Sequence, residues 1–219
     1  DPDYFFYCAN ETVHGLELRN PIESDSPVIC DMSSMIASRP IDINKYDLVF
    51  AGAQKNLGIA GLTILIIKNK LLSDCNKELL PMFDYSSHAE EASMLNTSPV
   101  FAWYVSGLIF DWITEQGGVE MMGKVNMEKS SLLYNYIDES SFYSNPVSKL
   151  YRSWMNIPFI LARDDLENDF IQCAEDEGLF NLKGHRTVGG MRASVYNAMP
   201  IEGIKKLIAF MDDFAKLHE

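Results

Sequence analysis

In residues 49–67, VFAGAQKNLGIAGLTILII, one charged side chain, Lys55, stands among small residues and between two apolar runs. An ammonium in that setting is exposed, paired, or kept for chemistry. A loop lysine whose head reaches water is one reading. The other begins with its neighbours: Gly52, Ala53, Gly58, Ala60 and Gly61 are small enough for a flat group to approach the backbone. A stem lying among apolar strands makes the charged amine costly, and an amine of lowered pKa attacks carbonyls. Asp31, after PVIC and before MSS, ends another predicted strand. It either caps a turn or delivers a carboxylate to the same crevice as Lys55.

A second cluster is cationic. Of only six arginines, Arg186 and Arg192 fall within seven residues, beside His185 and Lys183. A guanidinium grips a carboxylate or phosphate with a two-pronged fork. Gly184, Gly189 and Gly190 let that loop bend close to a ligand. A solvated basic turn is the competing reading. The cysteines, at 8, 30, 75 and 173, contain no CxxC pair, and with four histidines they offer no metal constellation. They read as reduced thiols of a cytoplasmic protein.

The elements must position these groups. At 219 residues and 47% hydrophobic, the chain holds enough apolar surface for one large or two small domains. A net charge of -13 argues against nucleic acid or an anionic membrane as partner. The longest apolar run, around 61–67, is too short to span a bilayer. Sequons at Asn10 and Asn96 are read as unglycosylated. YFFYCA, SPVICDMSS, KYDLVFAGA and GLTILII read as strands, and their continuous apolar character predicts a sheet covered on both faces.

Two helices follow, over 101–116 and about 119–137, separated by Gly117-Gly118. The first places Phe101, Val105, Leu108, Ile109 and Trp112 on one face. Its aromatics read as core or dimer interface. Beyond Tyr143 the predicted order is a strand in RSWMNIPFIL, a helix over 164–176, a loop leading into a strand, and a last helix over 200–218. The division expected is residues 1–140, the rear of a large central-sheet domain, and residues 141–219, a small C-terminal α/β domain. The chain starts at Asp1 with strand-like aromatics almost at once, and it reads as beginning inside a domain.

A lysine at one strand end and an acid at a neighbouring strand end is the general layout of a pyridoxal-phosphate site. Here the residues go further. CDMSSMIASRPIDINKYDLVFAGAQKNLGIAGLTILII, LNTSPVFAWYVSGLIFDWI and LKGHRTVGGMRASVYNAMP resemble, in that order, blocks of the phosphoserine aminotransferases. These are fold-type I, class V pyridoxal-phosphate enzymes. They move the amino group of glutamate to 3-phosphohydroxypyruvate, giving phosphoserine and 2-oxoglutarate for serine biosynthesis.

The resemblance implies that Lys55 is the Schiff-base lysine and Asp31 the partner of the pyridine nitrogen. It puts Thr12 against the cofactor's phenolic oxygen and Gln54 at its phosphate. Asn96 and Thr97 would reach the cofactor phosphate of the neighbouring subunit in a homodimer. His185 and Arg186 would hold the substrate's distal anionic group, also across the dimer, and Arg192 the α-carboxylate. Without the resemblance, Thr12 is a turn residue and Asn96-Thr97 a polar loop.

The family subunit is longer at its N-terminal side, so the phosphate-binding glycine turn, a ring-stacking aromatic and further cations are expected to be missing here. The alternative function is a truncated, inactive relative that acts as a dimerisation partner. A cysteine desulfurase would need a reactive thiol in a glycine-rich, basic loop, and none of the cysteines has that setting.

Overall fold

The computed structural model of the protein describes residues 2–73 and 79–218; Cys75 lies outside them. The four predicted strands form one sheet. β1 (Phe5–Cys8), β4 (Val28–Asp31) and β5 (Leu48–Gly52) are parallel neighbours, and β6 (Thr63–Ile67) closes the sheet antiparallel to β5, in the order β1-β4-β5-β6. Their β-branched and aromatic residues suit a pleated surface. Between β1 and β4 lies a two-stranded hairpin not foreseen from sequence, β2 (Asn10–Glu11) with β3 (Leu16–Glu17). Two short helices follow the sheet, α1 (Asn69–Ser73) and α2 (Tyr85–Glu90).

Alternation along the strands divides the sheet into unequal faces. Tyr7, Cys30, Val49 and Ala51 are buried in one core with Ile113 of α3 (Val100–Glu115) and Met122 of α4 (Gly118–Glu139). On the other face Phe6 is 53% exposed and stacks on Phe50, with ring centroids 6.2 Å apart. The sheet is therefore covered on one face within this chain, not on both. At the edge strand β6, Ile66 remains 42% exposed. An apolar run records which residues tolerate burial, not which element covers them.

The buried stripe of α3 also differs from the predicted one. Ala102, Ser106 and Ile113 face inward, with Ile109 and Trp112 packed partly against the core, whereas Phe101 and Leu108 are exposed. Small residues set this rotation. A Cβ at Gly58, in the loop after Lys55, would stand 2.6 Å from Ser106 Oγ, so the helix and loop touch only because both positions are small. The glycines between α3 and α4 behave as expected. Gly117 and Gly118 both adopt left-handed φ, at 95° and 76°.

The C-terminal part is a second layered unit. β7 (Tyr143–Ser144), β8 (Asn156–Leu161) and β9 (Met191–Ser194) form an antiparallel sheet. α5 (Glu167–Asp176) and α6 (Ile201–His218) pack on it. Phe170 is fully buried there, with the rings of Phe159 and Phe214 edge-on at 5.9 and 5.1 Å. α4 serves both cores: Met122 packs on the first sheet and Leu133, Tyr134 and Ile137 on the second.

An ion pair ties the end of α4 to the segment before β8. Arg152, itself buried, binds Asp138 through Nη1 at 2.9 Å and Nη2 at 2.7 Å, and Lys149 lies 2.8 Å from the same carboxylate. The Arg152 guanidinium holds the Asp138 carboxyl at about 2, below the usual value. A carboxyl with a depressed folded pKa stabilises the fold above its unfolded value and loses that contribution as pH falls. Thermal stability is thus expected to drop between pH about 4 and about 2, with Asp138→Asn showing a shallower drop. At neutral pH that variant should lose about 2 kcal/mol by leaving Arg152 half-paired, which denaturant titration would measure.

Candidate active site

Three strand ends converge. β1 leads through Asn10 to Thr12, β4 ends at Asp31, and β5 ends at Gly52, three residues before Lys55. In open α/β sheets the crevice outside the carboxyl ends of parallel strands is where ligands bind. Asp31 pairs laterally with Cys8 on one side and Phe50 on the other.

Thr12 occupies the turn of the β2–β3 hairpin. Val13 N and His14 N donate to the Glu11 carboxylate at 2.9 and 2.6 Å, and Gly15 closes the turn at φ 70°. No side chain fits at position 15, since a Cβ would meet Pro158 Cδ at 2.3 Å. Thr12 Oγ1 thereby faces the Lys55 amine, and Nζ donates to it at 3.1 Å. Arg192, on β9, reaches the same residue from the second sheet. Its Nη1 makes a long contact of 3.4 Å with the Thr12 carbonyl, while its Nε is buried without a partner. Lys55 is half-buried, and its turn is held by Leu57 N donating to Ala53 O and Asn56 Nδ2 donating to Ile36 O, both at 3.0 Å.

Asp31 caps the turn after its strand. Oδ1 accepts from Ser33 N at 2.8 Å, a turn cap, and Oδ2 has no partner among the described residues. Burial, with the Asp31 charge beside it, pushes the Cys8 thiol up, so this cysteine is no thiolate nucleophile.

The other predicted residues lie outside this cluster. Gln54 is exposed on the Lys55 turn, its amide folded back over Gly52. Asn96 and Thr97 are exposed ahead of α3, with Asn96 Nδ2 donating to Thr97 O at 3.3 Å. Arg186 is exposed and His185 half-buried, in a loop tight enough that a Cβ at Gly184 would lie 2.1 Å from Gly189 O. The His185 ring turns to Thr187 Oγ1 at 2.8 Å. None of these four hydrogen-bonds to Thr12, Lys55 or Arg192.

Sequence reading missed two contributors. Tyr196 places its ring 6.0 Å from Lys55 Nζ, the outer limit of a cation–π contact. Its position was accessible: 192, 194 and 196 share one face at strand period. Asn10, read as a sequon, is fully buried. Its amide donates to Ser34 Oγ at 2.8 Å and Asn156 Oδ1 at 2.9 Å, and it accepts from Ser153 Oγ at 2.5 Å. Among the described residues no group of three or more His, Cys, Asp or Glu is placed to hold a metal ion. No helix there is long and apolar enough to cross a membrane.

Lys55 and Arg192 thus meet at Thr12 from two different sheets, and Asp31 ends the strand beside the one that leads to Lys55. The chain belongs to the aminotransferase class-V family, whose profile matches residues 1–207. It is 53% identical over 219 residues to a phosphoserine aminotransferase of Pseudomonas fluorescens, covering 100% of this chain and 61% of that protein. To that of Acinetobacter baumannii it is 52% identical over 216 residues, covering 99% and 60%. Among solved structures, the phosphoserine aminotransferase from Bacillus circulans subsp. alkalophilus superposes with a TM-score of 0.95 at 43% identity, covering 99% of this chain and 60% of that one. A pyridoxal-phosphate-bound phosphoserine aminotransferase from Trichomonas vaginalis gives 0.91 at 39%, covering 95% and 60%. The chain thus spans about 60% of the length of the curated relatives it matches.

Proposed function

We propose that this chain carries the catalytic lysine and substrate arginine of a pyridoxal-phosphate-dependent transaminase. The reaction proposed is transfer of the amino group of glutamate to 3-phosphohydroxypyruvate in serine biosynthesis. The observation that carries the reading is the convergence on Thr12, where the Lys55 amine meets the hydroxyl and the Arg192 guanidinium the carbonyl. The residues fit the cofactor: a half-buried amine, a carboxylate with one oxygen unpartnered, and a buried guanidinium Nε without an acceptor. When bound, pyridoxal phosphate supplies an aldehyde and an electron-withdrawing ring.

The chain's own groups do the rest. Lys55 Nζ would hold the cofactor covalently, and as a free amine it would take and return the substrate Cα proton. Asp31, with Oδ2 unpartnered among the described residues, would hold the cofactor's ring nitrogen protonated. Thr12 Oγ1 donates to an anionic oxygen beside the amine. Arg192 orients a carboxylate, and Gln54 contacts phosphate. Borohydride reduction after pyridoxal phosphate is added, followed by peptide mass analysis, tests this; the pyridoxyl group is expected on Lys55, and its appearance elsewhere refutes the assignment.

Arg192→Lys should raise KM for both substrates about tenfold or more, because an ammonium cannot make the two-pronged contact. Unchanged kinetics would count against Arg192 as the carboxylate ligand.

The two sheets and their cores support a division at residues 140/141 into a cofactor-binding portion and a substrate-binding domain. A homodimer with shared sites is part of the proposal. Val100, Phe101 and Tyr104 on α3 are 68%, 69% and 62% exposed, an apolar surface of the kind that marks an interface. Asn96, Thr97, His185 and Arg186 would then serve the neighbouring subunit. Free thiols at Cys8, Cys30 and Cys173 accord with a cytoplasmic setting.

A further inference from the structure

Among the described residues Lys129 is one of the largest fully buried side chains. It is 0% exposed, midway along α4. Among the described residues no carboxylate pairs with it. All its hydrogen bonds go to one turn, to the carbonyls of Val195 at 3.2 Å and of Tyr196 and Met199 at 2.9 Å. An ammonium has three N–H donors, and each has a carbonyl here. A buried charge without a counter-ion opposes folding, and burial pushes the Lys129 amine down to about 8. A methionine or leucine would fill the same space without that cost, so the charge calls for an explanation beyond packing.

The turn it holds supplies one. Tyr196 faces Lys55 Nζ, and Asn156 Nδ2 donates to its hydroxyl at 3.1 Å. Asn197 N donates at 3.0 Å to Oδ1 of Asn56, the residue after Lys55. One turn of α4 earlier, Asn126 Nδ2 donates to Asn197 Oδ1 at 2.8 Å, while Asn197 Nδ2 donates to Ala37 O at 2.9 Å. Ala37 has a left-handed φ of 55°, a strained geometry that this contact helps hold. The turn is thus fixed from α4 on one side and braces the Lys55 loop on the other.

We infer that Lys129 is a positioning residue for Lys55. Its ammonium gathers three carbonyls of the 195–199 turn and so sets Tyr196 against the amine and Asn197 N against Oδ1 of Asn56, the residue after Lys55. The inference rests on the reading of Lys55 as the carbonyl-capturing amine, and the test separates the two. Lys129→Met keeps the stem and removes all three donors; Lys129→Gln keeps two N–H. Leu133→Ala, in the same helix and equally buried, is the control for general destabilisation.

Two readouts apply in the whole protein. One is amide exchange of Asn197 relative to Ile157 in β8, compared among variants under conditions where Asn197 exchanges by local opening and with Leu133→Ala as the reference for general destabilisation. The other is the rate of pyridoxyl labelling of Lys55 by pyridoxal phosphate and borohydride. Expected for Lys129→Met is a ratio about tenfold higher and labelling about tenfold slower, the scale of one lost charged hydrogen bond. Lys129→Gln should lie between, and Leu133→Ala should match the wild type in both. If the Gln variant, or a folded Met variant, matches Leu133→Ala in both readouts, Lys129 is core packing and the inference is wrong. If wild-type Lys55 takes no pyridoxyl group, the functional reading fails, while the exchange ratio still decides whether Lys129 holds the turn.

Discussion

Lys55→Ala is expected to leave a folded protein that takes no pyridoxyl group and transfers no amino group. The structural loss is small. Lys55 is half-buried, and its hydrogen bond is the one to Thr12 Oγ1 at 3.1 Å. Removing it should cost about 1 kcal/mol or less, because Thr12 and its turn are held by Glu11 and Gly15 instead. The chemical loss is large. The same nitrogen is nucleophile and proton carrier, and losing a positioned acid-base group alone costs about 10²–10⁴-fold. The combined loss should exceed that.

Lys55→Arg separates charge from nucleophilicity. It retains a cation near Tyr196 and Thr12 but stays protonated at any working pH, so it should be as inactive as alanine. Thermal unfolding, borohydride trapping and phosphoserine formation measured side by side check all three statements. A Lys55→Ala protein that still forms phosphoserine would move the chemistry to another amine, and an unfolded one would make Lys55 a structural residue.

The reason Lys55 was legible lies in local composition, since a single cation among small and apolar residues has few explanations. Asp31 was legible for the same reason, a polar group directly after an apolar strand. Arg192 was readable as a cation in a glycine-rich loop, but its place beside Thr12 depends on two sheets docking, which no local pattern encodes. Asn96, Thr97, His185 and Arg186 show the reverse limit. Their types suggest ligands, yet Asn96, Thr97 and Arg186 are exposed, His185 is half-buried, and none of them hydrogen-bonds to Lys55, so residue type alone does not assemble a site.

The strands were legible in place, but not in which face is covered or by what. An isoleucine at an open edge and one under a helix look alike in sequence. For α3 the apolar count pointed to Phe101 and Leu108, while the contact was decided by Ala102, Ser106 and Gly58, whose smallness permits close approach. Lys129 was invisible because a lysine on a polar-looking helix is ordinarily solvated.

Asn10→Ala is expected to be the most destabilising single change near the site, and its cause is the opposite of Lys55's. Asn10 is 0% exposed, and its amide is shared among three elements: Ser34 after β4, Ser153 before β8, and Asn156 in β8. Asn156 passes the connection on, donating to Ser194 Oγ at 3.2 Å and Tyr196 OH at 3.1 Å. Truncation strands three buried polar partners, each costing about 1–3 kcal/mol when unpaired, and leaves a small void. A loss of about 3–5 kcal/mol follows, since water entering the void recovers part of the sum.

Asn10→Asp tests whether geometry or chemistry matters. It keeps the shape and the acceptor for Ser153 but removes the donor for Ser34 and Asn156, and it buries a charge, so it should be no better than alanine. Denaturant titration gives the stability. Pyridoxyl labelling of Lys55 at a denaturant-free temperature well below the midpoint gives the local effect. Because the network ends on Tyr196, the labelling rate should fall in the molecules that remain folded. A variant that unfolds earlier yet labels at the wild-type rate would show that the network joins the two sheets without aligning the amine.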